Sequence, residues 1–553
     1  MTTQGHTMHG STHSAVTSLL LVGLLGTAAA VSSAAAQSRV DSAGGWAAQN
    51  EVVYQLFVRS FRDSNGDRIG DLKGIQEELG YLHDLGITSL LLTPINPSRL
   101  YHNYFASNIW GVDSTFGGMA ALHNLVEAVH ARGMKIYLDR EDQYATGDNP
   151  WLKESLGHPE SRYSHFILYH GANNTNPEPA VYGLTALPSY NGEKVPVATV
   201  NLLDPGVELQ IESLFVSLED PNRDGRFDDG VDGFRLDHMM DDLDFKGKLT
   251  GLFAQFWAPV FSRSRAVNPR VTFIAEQADW GFGDDWLTRG GADLVFAFPI
   301  QRAIASFNRD SIAHAIVQTL LKTPAGKGQL VFIENHDLSR FASVVGGDPR
   351  KERLGAALNV LLKGTPLIYY GQEIGMKGLQ SHAWNSDAND IPDREAFKWT
   401  RRVEDPGSAI WYKDSGPWWT DRFNRDDDGI SVAEERNDPH SLLSYYRRLL
   451  ALRRWRADLR DGDERVIGTD RPNVLAVVRS TPTMASLLLV NLSDTAATVT
   501  VVRDSLPAAL AGSRLTDLIS GAAGPAPGGV LREQLPPYGV KLLARRRGDK
   551  RGR

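Results

Sequence analysis

This sequence predicts an α/β protein: a (β/α)8 TIM barrel with a subdomain inserted after the third strand and an antiparallel β domain at the C-terminal end. Three observations carry that expectation. Eight short apolar, β-branched or aromatic runs alternate with helical patterns; three of them close in a carboxylate, Asp237, Glu276 and Asp337; and strand-like alternation resumes by itself after about residue 460. Barrels of this kind place functional groups at the C-terminal ends of different strands.

Taken in order, the apolar run from Thr17 to Ala30 followed by VSSAAAQ reads as a signal peptide over residues 1–36, with a cut after Ala36 and a secreted or periplasmic mature protein. A disordered leader is the alternative, because residues 1–36 contain no Lys or Arg. The run is short for a bilayer span, so no membrane association is expected after cleavage. Residues 48–140, the first part of the barrel, hold the strand signals VVYQLFV, ITSLLLTP and MKIYLDR. Residues 141–229 are too long for one helix and rich in Pro, Gly and Asn, and read as the inserted subdomain. The second part, residues 230–460, contains GFRLDH, VTFIAEQ, DLVFAFP, QLVFIENH and TPLIYYG and closes on the helix SLLSYYRRLLALRRW. Helical stretches such as GGMAALHNLVEAVHARG and KERLGAALNVLLKG end in Gly, a common helix stop. Residues 461–546, with NVLAVVRS and ASLLLVNLS, read as the β domain, and the basic tail beyond as solvated.

Composition narrows the partners. A chain of 553 residues with 42% hydrophobic and 22% charged content can bury one large core and at least one smaller one. A net charge of -8 argues against a nucleic-acid partner, which needs a basic face, whereas a neutral polymer such as a glucan is compatible with it. There is no cysteine, so disulfides and thiolate metal sites are excluded and any calcium would rest on oxygen ligands.

Retaining glycoside hydrolysis needs a nucleophilic carboxylate and a second, protonated one, about 5 to 5.5 Å apart across the bond. Asp237 and Glu276, on neighbouring strands, suit that demand. Arg235 and Asp237 are two residues apart in GFRLDH and share a face, so the guanidinium would keep the aspartate ionised. Glu276 follows the apolar VTFIA and precedes Trp280, surroundings that raise a carboxyl pKa as a general acid requires. By itself an Arg-x-Asp pair in a strand is more often a structural ion pair.

FRLD, IAEQ and ENHD, in this order and at these strand positions, resemble the catalytic segments of the α-amylase family, glycoside hydrolase family thirteen. The resemblance runs from about Val52 to Arg454 and includes DSNGDRIGDLKGI, YHNY, GTPLIYYGQEIGM and DREAFKW, with features of the oligosaccharide-acting branch. It implies Asp237 as nucleophile, Glu276 as general acid/base, Asp337 as the carboxylate that distorts the sugar, and Arg235 and His336 in support. It also implies that His102 and Tyr104 line the subsite on the non-reducing side, with Tyr104 as a stacking platform for a pyranose. Asp139 is followed by Gln143 and Tyr144 where the family usually has Asn and His. Met240 and Asp241 stand where Lys and His are common, and Thr199-Val200-Asn201 where Asp-Leu-Asn is common. A sugar-binding histidine and a calcium-binding asparagine are thereby missing.

Structural calcium is expected elsewhere. Asp63, Asn65, Asp67, the carbonyl of Ile69 and Asp71 resemble the first-loop site of the oligosaccharide-acting branch. Two further loops have partial EF-hand spacing: Asp220, Asn222, Asp224 and Asp228, and then Asn424, Asp426, Asp428 with Glu435 at the twelfth position; each is alternatively a solvated Asp/Asn/Gly turn. The expected function is that of a secreted α-amylase acting on starch-like glucans or maltooligosaccharides. The alternatives are an exo-acting α-glucosidase or transglycosylase on short α-glucosides, and a non-enzymatic carbohydrate-binding barrel.

Overall fold

The computed structural model describes residues 50–512, 514–524 and 528–545. The expected signal peptide, residues 1–36, lies outside them. The eight strand signals close into one parallel barrel: β1 (Val53–Leu56), β2 (Ser89–Leu92), β3 (Lys135–Arg140), β4 (Gly233–Met239), β5 (Thr272–Gln277), β6 (Leu294–Phe296), β7 (Gly328–Val331) and β8 (Thr365–Tyr369). Closure pairs β1 with both β2 and β8, for example Val53 with Ser89 and with Leu367.

Alternation along each strand divides the apolar residues between two cores. Val53, Leu91, Tyr137, Ile274, Leu294, Leu330 and Leu367 fill the barrel interior. Their sequence neighbours Tyr54, Leu90, Ile136, Phe273 and Ile368 pack outward against the helices. The inward positions change character toward the C-terminal ends of the strands. Tyr137 is followed two residues on by Asp139 and Ile274 by Glu276, while Arg235 is followed by Asp237. Period-two geometry therefore delivers these charges to one mouth of the barrel.

Residues 141–229, expected as one subdomain, hold two different things. The strands Tyr144–Thr146, Ala186–Pro188 and Lys194–Thr199 form a small antiparallel sheet. The helix Pro205–Glu219 instead belongs to the outer ring of the barrel, with Phe215 stacked on Phe234 of β4 at a centroid distance of 4.2 Å. Asp204 caps that helix through the amides of Gly206 and Val207, and Pro205 opens it. The inserted part thus ends before residue 205, where a cap and an apolar stripe replace the Pro/Gly/Asn-rich run.

Behind the barrel, the strands Asp463–Ile467, Val474–Ser480, Ala485–Asn491, Val540–Ala544 and Thr516–Asp517 form one antiparallel sheet, and Ala497–Val502 pairs with Val530–Leu535. They enclose a second core that includes Val478, Leu487, Leu489, Val499 and Leu531. Buried Arg479 ties this domain to the barrel, donating to the carbonyl of Leu361 at 2.8 Å. Among the described residues no helix is long and apolar enough to cross a membrane.

Candidate active site

Arg235 is fully buried on β4 and holds three carboxylates. Its NH1 donates to Asp139 Oδ1 at 2.8 Å and to Asp237 Oδ1 at 2.6 Å, and its NH2 donates to Glu276 Oε2 at 2.6 Å. Asp237 and Glu276 thus bind adjacent nitrogens of one guanidinium, close enough for Asp237 to act on Glu276 by charge and by a side-chain hydrogen bond. Burial would raise the Asp237 carboxyl, but the Arg235 guanidinium and His238 prevail and hold it well below the usual carboxylate range. Burial dominates at Glu276 and raises its pKa, with Arg235 opposing and Asp237 assisting. Two carboxylates in contact are driven apart in acidity, as division into nucleophile and acid requires.

The oxygens of Glu276 are distinct. Oε2 accepts from Arg235, and the amide of His238 lies 3.4 Å from it, while among the described residues Oε1 has only the indole N–H of Trp280 at 3.3 Å. The more crowded oxygen carries the acceptor role, so Oε1 is the place for the acidic proton.

Tyr104, His336, His102 and Asp337 gather around the same centre. The Tyr104 hydroxyl donates to Asp139 Oδ2 at 2.7 Å and stands 2.7 Å from His336 Nε2. Gln55 Nε2 lies 2.9 Å from His336 Nδ1, which assigns the ring hydrogen to Nε2. Burial, aided by Arg235 and Arg394, keeps this imidazole neutral. The ring of Tyr104 is stacked on His336, with centroids 5.6 Å apart and planes at 13°, so one of its faces is already covered by protein. His102 Nδ1 accepts the Tyr104 amide at 3.2 Å, and its Nε2 lies 3.8 Å from Asp387. Asp337 follows β7, receives Arg394 NH2 at 3.3 Å, and has a pKa raised to about 7 by desolvation in the cleft and by Glu276.

Several neighbours were not singled out in the sequence. Asp139 was noted only as the start of a departing segment, although its inward phase follows from Tyr137 two residues earlier. Arg394 comes from DREAFKW, far along the chain, and nothing local in the sequence links it to Asp337. Gln143, at a departing position, donates to the main-chain carbonyl of Asp237, and Tyr144 donates to Asp244 at 2.5 Å. These side chains brace the β4 loop with hydrogen bonds.

The metal-ligand candidates sort by geometry. In the first loop Asp63 accepts the amides of Asn65, Gly66 and Arg68, Asn65 accepts that of Asp67, and Asp67 that of Ile69. The loop's side-chain and carbonyl oxygens are a donor set suited in type to calcium. Asp71 is drawn off to Ser64 and to the amide of Gly74, where it caps the helix Leu72–Glu77. In the loop Asp220–Asp228 the same short turns recur, and Arg226 pairs with Asp228 at 2.8 Å. The loop from Asn424 does not fit. The Lys398 ammonium binds both Asp428 and the carbonyl of Arg425, taking a cation's place, and Glu435 turns inward to accept the amide of Leu443 at 2.9 Å. Glu434 faces the loop instead, accepting from Gly429. Among the described residues no group of three or more His, Cys, Asp or Glu side chains is arranged to hold a metal ion.

Eight parallel strands with paired carboxylates of opposed acidity at their C-terminal ends define a glycosidase-type barrel. A family model for the alpha amylase catalytic domain matches residues 55–242 and 287–462, on either side of Glu276, and one for the maltogenic amylase C-terminal domain matches residues 465–542. The chain belongs to the alpha-amylase family, glycoside hydrolase family thirteen, and is an enzyme of that type. It is similar to Alpha-amylase 3 of Dictyoglomus thermophilum, at 28% identity over 77% of this chain and 82% of the relative. It is also similar to Probable oligo-1,6-glucosidase 2 of Bacillus subtilis, at 25% identity over 80% of this chain and 90% of the relative. Among solved structures, an alpha-amylase from H. orenii superposes with a TM-score of 0.73 at 25% identity, covering 90% of this chain and 99% of the other.

Proposed function

We propose that this enzyme is a secreted, retaining glycoside hydrolase that cleaves α-1,4-glucosidic bonds in starch-like glucans or maltooligosaccharides. The observation that carries the reading is the single guanidinium of Arg235 shared by an ionised Asp237 and a Glu276 of raised pKa. Glu276 passes its proton to the glycosidic oxygen while Asp237 attacks the anomeric carbon and the bond to the leaving sugar breaks. Water then gives its proton to Glu276 and displaces Asp237, restoring both groups. Asp337, with Arg394 and His336 beside it, receives the hydroxyls of the strained ring, and His102 and Tyr104 bound the sugar on the non-reducing side. The leader over residues 1–36 supports export.

Calcium at the first loop, held by Asp63, Asn65, Asp67 and the carbonyl of Ile69, would neutralise the acidic turn next to β1 and fix its conformation. Its role is structural.

A second reading, exo action or sugar transfer on short α-glucosides, is favoured by the segment after β8. Trp411 stacks on Tyr101 at 4.7 Å, and Tyr190 and Trp418 pack onward from it, forming an aromatic wall next to His102. The chain lengths released early from starch and from maltotriose discriminate. Mixed maltooligosaccharides from starch support endo hydrolysis; glucose alone, or products longer than the substrate, supports the second reading.

A further inference from the structure

Strands β4 and β5 run in register from Gly233 opposite Thr272 to Leu236 opposite Ala275, and pairing resumes at Met239 opposite Gln277. Asp237 and His238 therefore face Glu276 alone, which is a β-bulge. The extra residue is His238, whose φ of 44° lies in the left-handed region that strains a side chain other than glycine. In unbroken alternation the residue after an inward Asp237 would point to the helices; the bulge keeps His238 in the site. Its amide lies 3.4 Å from Glu276 Oε2 and its Nδ1 lies 3.3 Å from Asp237 Oδ2. One residue thus touches both carboxylates, with its side chain 33% exposed to the cleft.

We infer that His238 is a positioning residue that governs the outer oxygen of the nucleophile and so favours breakdown of the glycosyl-enzyme over its formation. The inference rests on the retaining reaction proposed above. Asp237 Oδ1 is held by buried Arg235, which leaves Oδ2 to meet the anomeric carbon. In the first step Oδ2 gives an electron pair to that carbon, the bond to the leaving oxygen breaks, and Glu276 protonates that oxygen. The negative charge next to the imidazolium disappears, so His238 opposes this step. In the second step water attacks the carbon and yields its proton to Glu276, and the bond to Oδ2 breaks. The electron pair returns to Oδ2, where the His238 N–H stabilises it. While Asp237 is ionised the imidazole is held protonated: burial opposes this, but Asp237 prevails and, with Glu276 and against Arg235, pushes its pKa to about 10.

His238→Asn tests the inference, because Asn tolerates the left-handed backbone and removes the cation. With α-maltosyl fluoride, whose fluoride departs with little help from the acid, breakdown limits kcat while kcat/KM reports formation. The variant is expected to lose about tenfold or more in kcat while kcat/KM holds or rises. Glycosylated protein should accumulate, visible in the intact mass after quenching. His238→Gln, read in the same way, serves if the Asn variant lacks a native circular dichroism spectrum. Parallel losses of kcat and kcat/KM with no adduct would overturn the inference. A wild-type protein that neither turns over the fluoride nor forms an adduct would overturn the retaining reading itself.

Discussion

The hydroxyl of Tyr104 donates to Asp139 Oδ2 at 2.7 Å, joining the loop after β2 to the end of β3. The same oxygen meets His336 Nε2 at 2.7 Å and Arg235 NH1 at 3.3 Å. Tyr104→Phe keeps the ring against His336 but leaves a buried carboxylate oxygen and an imidazole N–H without this partner. Thermal unfolding should show a loss of about 1–3 kcal/mol. Turnover of maltooligosaccharides should fall about 10- to 100-fold, since Arg235 and His336 lose a shared reference point.

The Trp280 indole donates to Glu276 Oε1, and it stabilises the anion. A general acid works only while protonated, so kcat/KM falls as pH rises through the raised Glu276 pKa. Trp280→Phe preserves stacking on Phe298 and removes the donor. The alkaline limb of the kcat/KM profile should move to higher pH, by up to about one unit. An unmoved limb would separate Trp280 from the acidity of Glu276.

Buried carboxylates away from the site set the pH dependence of stability. Burial raises Asp393 to about 8, Glu435 to about 8 and Glu219 to about 7; among the described residues neither Asp393 oxygen has a hydrogen-bond partner. A folded pKa above the unfolded one favours the protonated native state. That stability is complete below the ordinary pKa of about 4 and is lost as pH rises through about 7 to 8. The melting temperature should therefore fall between pH 5 and pH 8, and Asp393→Asn should flatten that fall.

The barrel was legible because each strand is a short apolar run with its own punctuation, and the candidate carboxylates because they close such runs. Alternation within KIYLDR and GFRLDH puts Asp139 and Asp237 on the inner face. What stayed hidden depends on phase or on distance in the chain. Glu435 is in the twelfth position of an EF-hand-like loop, yet the short helix Val432–Glu435 begins at a Ser431 cap that turns Glu434 to the loop and Glu435 to the core. Lys398, which occupies that loop, lies well before it in sequence. His238 faces the site only because of a bulge, and hydrophobic patterning carries no signal for one extra residue in a strand.

The two acidic loops should respond differently to chelation. The calcium proposed for the first loop would raise stability by mass action, so EDTA should lower the melting temperature, and Asp67→Ala should abolish that response. Asp428→Ala should leave the EDTA response intact while costing stability, because it leaves the Lys398 ammonium, whose side chain is 3% exposed, without the Asp428 carboxylate.

Asp237→Asn should reduce the rate by at least about a thousandfold, roughly 4 kcal/mol of barrier, with the fold retained. Arg235 keeps Asp139 and Glu276 as partners in the variant. Circular dichroism and thermal melting should match wild type while activity is lost.

The most direct test of the shared-guanidinium arrangement is the anomeric configuration of the first product, followed by proton NMR during hydrolysis of maltotriose before mutarotation. Paired carboxylates in contact predict the α-anomer first, with the β-anomer growing in later. A β-anomer first would mean single displacement by water and would contradict Asp237 as the nucleophile.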